Sequence, residues 1–299
     1  MFTLVVTNRK GGTAKTTTAV NLAAEFAKQG KRCLLIDLDP QGHSGLGLGF
    51  KALPGTASNL SILANGRQSL NSLLHETNID NLFFIPPGKH EASRVPQTER
   101  LMRFLSRKQV SSKFDITVID TPPNAGIEQT AALMAADGVL IPFMPTPLGK
   151  AGVHQLIEDM KTIPSKNGFP KIHYGLIPIM LDPRVKLDNQ VLSEMISIHG
   201  TEKILRGVRR NVRLAEAFDA GQPVNIFDAR CRGAFDYHML AEDITSLWPK
   251  IHPMQTTLSF REQAEVKVFP ARKKPASKPS STSTHRGIRL KDRCVQWNG

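Results

Sequence analysis

The apolar residues of this chain follow two alternating patterns over about its first 248 residues. Short apolar runs, such as Phe2–Val6, predict buried strands, and segments with an apolar residue every three or four positions predict amphipathic helices. The predicted strands span 2–7, 32–37, 81–86, 114–120, 138–143 and 172–180. The predicted helices span 15–29, 97–108, 126–135, 149–162, 186–199, 211–218 and 234–247. This alternation predicts one doubly wound α/β domain with a mostly parallel sheet flanked by helices.

Two segments depart from this alternation. Residues 44–80 are rich in Gly, Ser and Asn, and we interpret them as loops and short helices that cover the ends of the strands. The last 39 residues carry ten basic and three acidic side chains, a net charge of +7 within a chain total of +13. Together with its Pro and Ser content, this composition cannot form a packed core. We therefore predict an α/β domain over 1–249 and a disordered basic tail over 250–299.

A glycine-rich loop joins the first strand to the first helix, at residues 8–18. Such a loop aims backbone N–H groups and the positive end of the helix dipole at an anion. In the P-loop pattern G-x-x-x-x-G-K-[ST], the lysine reaches the β- and γ-phosphates and the hydroxyl residue binds Mg²⁺. These positions are Lys15 and Thr16 in this chain.

The same loop departs from the P-loop pattern at its glycines. Arg9 stands at the first glycine position and Ala14 at the second, and Lys10 is an additional lysine. Because Lys10 cannot easily turn back onto the phosphates of its own loop, we expect it to reach the nucleotide of a facing subunit.

Carboxylates follow two further strands. Asp37 and Asp39 come at the end of the strand 32–37, and Asp120 ends the strand 114–120. Because ligands of parallel sheets bind beyond the carboxyl ends of the strands, we expect all three beside the glycine loop. One of Asp37 and Asp39 can hold the Mg²⁺ shell while the other orients an attacking water, and Asp120 can bind Mg²⁺ through water. Residues 121–126 are predicted to form a switch loop that senses the γ-phosphate.

In combination, these motifs resemble the ParA family of deviant Walker A ATPases, which have a P-loop NTPase fold. The resemblance covers about residues 1–248. The segments that carry it are Lys10–Thr17, Asn21–Ala24, Asp37–Gly42, Asp120–Pro123, Arg210–Ala217, Gly221–Pro223 and Arg232–Ala234. Two positions depart from the family pattern. Ala14 replaces a glycine, which puts the hydrolysis rate in doubt but not the binding, and His43-Ser-Gly stands where an Asn-Ala-Thr type sequence is common.

The resemblance implies an Mg²⁺-dependent ATPase that dimerises on ATP, binds double-stranded DNA non-specifically and positions a cargo. A cargo adaptor protein is expected to stimulate its hydrolysis. The implied catalytic residues are Lys10, Lys15 and Asp39. The implied nucleotide-binding residues are Gly11, Gly12, Thr13, Ala14, Lys15, Thr16, Thr17 and Asn211. The implied metal ligands are Thr16, Asp37 and Asp120. The implied DNA-binding residues are Arg184, Arg210 and Arg213, close to a basic cluster that also holds Arg206 and Arg209.

Composition narrows the remaining possibilities. The three cysteines are widely spaced without a C-x-x-C motif, which argues against the iron–sulfur branches of this superfamily. Cys33 is expected in the core. We find no signal peptide and no apolar stretch of 18 residues, so a cytoplasmic, nucleoid-associated protein is expected.

Several alternatives stay open at this point. The chain could be a membrane-site regulator resembling MinD, a metabolic ligase or amidase of the same superfamily, or a nucleotide switch that does not hydrolyse. The cargo could be a plasmid, a chromosome, a carboxysome or another protein assembly. The basic tail could bind nucleic acid, an anionic membrane or an acidic partner, or merely keep the protein soluble.

Overall fold

The computed structural model of this chain describes residues 1–50, 69–87, 98–163 and 173–248. All of them belong to one compact unit, Met1–Gln255. The predicted disordered tail over 250–299 lies outside the described residues, and so do positions 51–68 of the predicted loop segment. The domain boundary at residue 249 therefore stays a prediction.

The described strands form one eight-stranded sheet in the order β3-β4-β2-β5-β1-β6-β7-β8. The strands are β1 Phe2–Val6, β2 Cys33–Asp37, β3 His75–Glu76, β4 Leu82–Ile85, β5 Ile116–Asp120, β6 Gly138–Phe143, β7 His173–Leu181 and β8 Val208–Arg209. Every neighbouring pair is parallel except β3 and β4, which are antiparallel. The predicted mostly parallel, doubly wound sheet is confirmed.

The helices of the described part lie between these strands and after the last one. They are α1 Lys15–Lys28, α2 His43–Gly47, α3 Leu70–Leu73, α4 Glu99–Leu105, α5 Lys108–Ser111, α6 Ile127–Ala135, α7 Pro147–Met160, α8 Lys186–His199, α9 Val212–Asp219, α10 Val224–Phe227 and α11 Arg232–Leu247. A 3₁₀ turn, Thr201–Lys203, follows α8. The two short helices α2 and α3 fall where short helices were predicted.

The helix predicted over 97–108 is confirmed over Glu99–Leu105, but its predicted end is wrong. Helix α4 ends at Leu105, and the separate short helix α5 begins at Lys108. Arg107, between them, has an extended backbone with φ −63° and ψ 136°. That conformation ends the helical run, and the spacing of apolar residues alone does not detect such a break.

Two other differences have local causes. Strands β3 and β8 were not predicted because two residues are too few to show a period of two. Helix α7 begins at Pro147, earlier than predicted, because Thr146 caps it: the Thr146 hydroxyl accepts a hydrogen bond from the Gly149 N–H over 3.0 Å. Thr-Pro at a helix start is a recognised sequence signal.

The sheet is covered on both faces, which explains why its central strands are apolar along their whole length. All five residues of β1 are buried. Leu4 belongs to one hydrophobic cluster with Phe26 of α1, whereas Val5 belongs to a second cluster with Phe104 of α4. Cys33 lies in the first cluster and is fully buried, as predicted. Because β1, β2 and β5 are adjacent in the sheet, their carboxyl ends meet at one place.

Candidate active site

The glycine loop connects β1 to α1 and adopts left-handed backbone at two residues. Gly12 has φ +72° and Ala14, immediately before α1, has φ +52° and ψ 32°. A side chain in this region costs about 1–2 kcal/mol relative to glycine. The glycine that the P-loop pattern places at Ala14 is therefore the residue that this backbone favours. Gly11 and Gly12 are exposed, and a Cβ built on either of them would have no atom within 4 Å, so the loop is open to an approaching ligand.

Lys15, the first residue of α1, is buried with 7% of its surface exposed. Its Nζ donates a hydrogen bond to the backbone carbonyl oxygen of Lys10 over 3.0 Å. Burial lowers the pKa of Lys15, while the negative charges of Asp120 and Asp39 oppose that effect. The lysine thus lies within electrostatic reach of two of the predicted acidic residues, as the sequence predicted.

Two contacts fix the start of the loop to neighbouring elements. The Asn8 side chain donates from Nδ2 to the carbonyl oxygen of Pro142 in β6 over 2.8 Å and accepts from the Lys10 N–H over 3.1 Å. Arg9 forms an ion pair with Asp159 of α7. Asn8 was not singled out in the sequence, although an asparagine two residues before the first loop lysine is a recognisable signal for such a turn.

Asp37 and Asp120 are register partners at the ends of β2 and β5, and both are fully buried. The backbone N–H of Ser44 donates to Asp37 Oδ2 over 3.1 Å, and its hydroxyl donates to Asp120 Oδ2 over 2.8 Å. Burial raises the pKa of Asp37, and the charge of Asp120 raises it further. Burial also raises the pKa of Asp120 to about 6, against the opposing effects of the Thr16 and Ser44 hydroxyl groups.

Asp39 is held differently from these two carboxylates. Its backbone N–H donates to Asp37 Oδ1 over 2.9 Å, and its own Oδ1 accepts from the Gln41 N–H over 3.0 Å. Within the described part of the chain, Asp39 Oδ2 has no hydrogen bond. Asp39 is 8% exposed and Asp37 not at all, so Asp39 is the one of the pair that solvent reaches.

A mainly apolar cavity of about 500 Å³ adjoins the loop. It begins at Ala14 and Thr17, and predicted nucleotide-binding residue Asn211 lies in its wall. Asn211 Oδ1 accepts from the Arg213 N–H over 3.0 Å at the start of α9. The other lining residues are Ile179, Met180, Val208, Arg209, Arg210, Leu214, Ala215, Phe218, Asp219 and Tyr237. Met180, with φ +53°, was not singled out in the sequence.

The predicted DNA-binding arginines do not share one environment. Arg184 and Arg210 line a second cavity of about 400 Å³, whereas Arg213 does not. Arg184 forms an ion pair with Asp182, and Arg213 pairs with Glu216 and Asp228. Arg210 is exposed and makes no ion pair with the residues that the structure describes. The second cavity is also lined by Leu181, Asp182, Pro183, Arg209 and Arg232.

The residues present suit a phosphate group and a divalent cation. Asp120 Oδ1 is a buried acceptor with no hydrogen-bond partner among the described residues, and carboxylate oxygens are ligands that Mg²⁺ prefers, directly or through water. The structure thus brings together the predicted residues Lys15, Thr16, Asp37, Asp39 and Asp120. Ser44 is the residue of this site that sequence reasoning treated only as a departure from a family pattern.

Within the described ranges there is no group of three or more His, Cys, Asp or Glu arranged to hold a metal ion by themselves. None of the helices in the same ranges is long and apolar enough to cross a membrane.

The chain has clear relatives among known proteins. A model of the AAA domain family matches residues 1–171. The chromosome-partitioning ATPase Soj of Treponema pallidum is 35% identical over 251 residues, which cover 82% of this chain and 97% of that protein.

Two solved structures share the fold. Apo McdA of Cyanothece matches with a TM-score of 0.70 at 24% identity, over 83% of this chain and 99% of that one. Cobyrinic acid a,c-diamide synthase of Mycobacterium smegmatis, solved with ADP and magnesium, matches with a TM-score of 0.68 at 26% identity, over 86% of this chain and 99% of that one.

The two solved structures agree with the fold described above. The identity to Soj extends over nearly the whole of that protein, and the domain match includes the loop and all three predicted aspartates. The predicted fold and the predicted resemblance are therefore confirmed. This chain belongs to the ParA/MinD family of deviant Walker A ATPases.

Proposed function

We propose that this chain is a partitioning or positioning ATPase that closes into a homodimer on ATP and binds double-stranded DNA without reading its sequence. A cargo adaptor protein stimulates hydrolysis and releases the dimer from the nucleoid in the cytoplasm. The observation that carries the proposal is the convergence of Lys15, Asp39 and Asp120 beside an open glycine loop. Its relatives support the cargo-positioning branch, since one is a chromosome-partitioning ATPase.

The charges of the site support hydrolysis of a phosphoanhydride. ATP contains that bond, and bound Mg²⁺ would neutralise part of the charge on its phosphate oxygens. Lys15 binds and neutralises phosphate oxygens. Asp39 has one oxygen held by the Gln41 N–H and the other without a hydrogen bond in the described part, so Oδ2 can accept a hydrogen bond from water and orient it. Thr16 and Asp120 are the residues we expect to hold the cation, because both oxygens of Asp37, the third predicted ligand, already accept backbone N–H groups.

The 500 Å³ cavity supports a nucleoside site next to the phosphate loop. Its lining is mainly apolar with a few polar groups, which is typical of small-molecule sites. It is continuous with the loop through Ala14 and Thr17, and Asn211 lies in its wall. We propose that the base and ribose of ATP bind there.

The surroundings of Lys10 support a role across a dimer interface. Its carbonyl group is directed to Lys15 of its own loop, while its aliphatic side chain lies beside Gly152 of α7, with Cδ 3.7 Å from a Cβ built on that glycine. Among the described residues no carboxylate forms an ion pair with the Lys10 ammonium. We propose that it contacts the nucleotide of the partner subunit.

The arginine environments support DNA binding by phosphate contact. Arg210 is exposed and without an ion pair in the described part, in a cavity that Arg184 also lines. Arg184 and Arg213 would have to exchange their carboxylate partners for phosphates. Such contacts carry no sequence information, so binding should be non-specific and should weaken with salt.

A metabolic amide-forming enzyme is the strongest alternative, because the diamide synthase shares the fold at 26% identity. We favour the partitioning function because the identity to Soj is higher, 35% over 97% of that protein. A MinD-like membrane function would need a membrane-binding segment, and the segment that could supply one, 250–299, lies outside the described residues.

A band-shift assay on random-sequence double-stranded DNA tests the proposal. The full chain is assayed with ATP, with ADP and without nucleotide, and Lys15→Gln serves as the control that cannot bind nucleotide. Binding only with ATP, and lost in Lys15→Gln, is the expected result.

Binding in every condition would point to nucleotide-independent binding by the basic tail and would contradict ATP-gated DNA binding. No binding in any condition would contradict the DNA-binding part of the proposal, and binding to anionic vesicles would then favour the MinD-like alternative.

A further inference from the structure

Ser44 is the residue that connects the two buried carboxylates of the site. It is fully buried at the start of the short helix α2. Its backbone N–H donates to Asp37 Oδ2 over 3.1 Å, and its hydroxyl donates to Asp120 Oδ2 over 2.8 Å. One residue therefore contacts both carboxylates, through two different donors.

The carboxylates it connects belong to adjacent parallel strands. Asp37 and Asp120 are register partners and are both fully buried. Negative charges at paired positions of adjacent strands repel each other, and the repulsion is stronger away from water. The two donors of Ser44, one to each carboxylate, stabilise the negative charges and fix the orientation of each carboxylate group.

The hydrogen bonds leave the oxygens of the two carboxylates in different states. Both oxygens of Asp37 accept backbone N–H groups, from Asp39 and from Ser44. Asp120 Oδ2 accepts the Ser44 hydroxyl, whereas Asp120 Oδ1 is buried and has no partner among the described residues. A buried acceptor without a partner is unfavourable, and a bound cation with its water ligands would satisfy it.

We propose that Ser44 is a positioning residue for magnesium, whose hydroxyl orients Asp120 so that Oδ1 faces the cation. The inference rests on the proposed nucleotide and magnesium site and names a residue that organises it. Outer-shell hydrogen bonds to metal-binding groups are worth about 10- to 100-fold in metal affinity. The Ser44 hydroxyl can make such an outer-shell hydrogen bond, because it donates to Asp120 Oδ2.

The two donors of Ser44 allow its roles to be separated. Ser44→Ala removes the hydroxyl but keeps the backbone N–H that donates to Asp37. Ser44→Thr keeps both donors and adds a methyl group at a buried position. Ser106→Ala is a control for the loss of a serine hydroxyl away from the site, because the exposed Ser106 hydroxyl donates only to the Met102 carbonyl oxygen in α4.

The test measures binding of a fluorescent ADP analogue to the full chain, in EDTA and over a titration of Mg²⁺. For Ser44→Ala we expect affinity in EDTA within about twofold of wild type, and a Mg²⁺ concentration for half-maximal effect raised about 10- to 100-fold. For Ser44→Thr, this Mg²⁺ concentration should stay within about threefold of the wild-type value, and for Ser106→Ala it should equal the wild-type value.

Three outcomes would overturn the proposal. The first is that the Mg²⁺ concentration for half-maximal effect is unchanged in Ser44→Ala. The second is that Ser44→Ala loses as much affinity for the analogue in EDTA as it loses in Mg²⁺. The third is a Ser44→Thr protein that loses Mg²⁺ dependence as fully as Ser44→Ala, because packing and not the hydroxyl would then be responsible.

A second variant keeps the test decisive if Ser44→Ala does not fold. Ser44→Cys has a similar shape and only a weak donor, so its Mg²⁺ half-point should also rise, and an unchanged value would overturn the proposal. If wild type itself binds the analogue without any Mg²⁺ dependence, the magnesium site of the proposed function fails. If only the role of Ser44 is wrong, the result is different: binding of the analogue depends on Mg²⁺ in wild type and depends on it to the same extent in Ser44→Ala.

Discussion

Lys15 Nζ donates a hydrogen bond to the carbonyl oxygen of Lys10 over 3.0 Å, so the ammonium group lies across the glycine loop. An ammonium has three N–H donors, and this hydrogen bond uses one of them. Because burial lowers the pKa of Lys15, the charged form gains from any further anion beside it. We therefore expect a phosphate bound at the loop to accept hydrogen bonds from the remaining donors of Lys15.

Lys15→Gln is expected to lose at least about 100-fold in affinity for ATP. Each hydrogen bond between a charged group and its partner contributes about 1.5–3 kcal/mol, and the glutamine side chain has no charge and is one atom shorter than that of lysine. Equilibrium binding of a fluorescent ATP analogue measures the change. Lys28→Gln, at the exposed end of the same helix, is the control and should bind as wild type does. An affinity of Lys15→Gln within threefold of wild type would contradict the role of Lys15.

Asp39→Ala is expected to bind ATP but to hydrolyse it about 10²- to 10⁴-fold more slowly, the range typical for loss of a general base or water-orienting group. The dimer formed on ATP should then persist. Phosphate release measures the rate, and size-exclusion chromatography with ATP measures the dimer. Asp80→Ala changes an exposed aspartate in the loop before β4 and should behave as wild type. Hydrolysis by Asp39→Ala at the wild-type rate would show that its assigned role is wrong.

The sequence predicts those parts of the molecule that have a long apolar run or charged residues at a characteristic position. The apolar runs of β1, β2 and β5 and the carboxylates at their ends follow from periodicity and from the geometry of parallel sheets. Strand β8 has only two residues, and its pairing with β7 depends on the whole sheet. The break at Arg107 is a change to an extended backbone conformation, which the pattern of side chains does not predict.

The residues of the site likewise divide into those that the sequence predicts and those that depend on the tertiary fold. Lys15, Thr16 and Asp120 belong to motifs whose spacing has a chemical reason. Ser44 lies seven residues after Asp37, and only the fold of α2 brings its hydroxyl to Asp120, which is 76 residues away in the chain. The ion pairs of Arg184 and Arg213 also depend on tertiary placement, so the sequence could count these charges but could not tell which were already neutralised.

Ala14→Gly is expected to stabilise the protein by about 0.5–1 kcal/mol. Removing the side chain relieves the cost of about 1–2 kcal/mol for left-handed backbone, and the greater freedom of glycine in the unfolded chain returns about 0.4–1 kcal/mol of it. Urea unfolding without nucleotide measures the difference. Ala27→Gly, within α1 where the backbone is helical, should instead destabilise by about 1 kcal/mol or more. A destabilised Ala14→Gly would contradict the strain assigned to this position.

Asp120→Asn is expected to stabilise the protein at pH 7 in EDTA, by about 3 kcal/mol, while abolishing the effect of Mg²⁺ on nucleotide binding. Burial raises the pKa of Asp120 in the folded state to about 6 from 3.8, so folding favours the neutral carboxyl. Stability from this group is therefore present below about pH 4 and is lost as the pH rises through about 6.

Urea unfolding of wild type and Asp120→Asn between about pH 4.5 and 7.5 measures this dependence. The difference in unfolding free energy should grow with pH, whereas Asp80→Asn should show no such trend. A constant difference across this range would contradict an ionising, buried Asp120.

Arg210→Ala is expected to weaken DNA binding more than Arg184→Ala or Arg213→Ala does. Arg210 has no ion pair to break in the described part, whereas Arg184 and Arg213 must first give up carboxylate partners. With about four to six phosphates contacted, the slope of log K against log salt for wild type should be about −4 to −5. Arg210→Ala should make that slope shallower by about 1.

Fluorescence anisotropy with a random-sequence duplex and ATP, from about 50 to 200 mM salt, gives both the affinities and the slopes. Arg103→Ala, on the exposed face of α4 and paired with Glu99, should leave both unchanged. A wild-type slope near zero would exclude phosphate contact as the source of binding. A slope unchanged in Arg210→Ala but reduced in Arg184→Ala would mean that the ion pair with Asp182 opens on DNA, and that Arg184 is the main contact of this cavity.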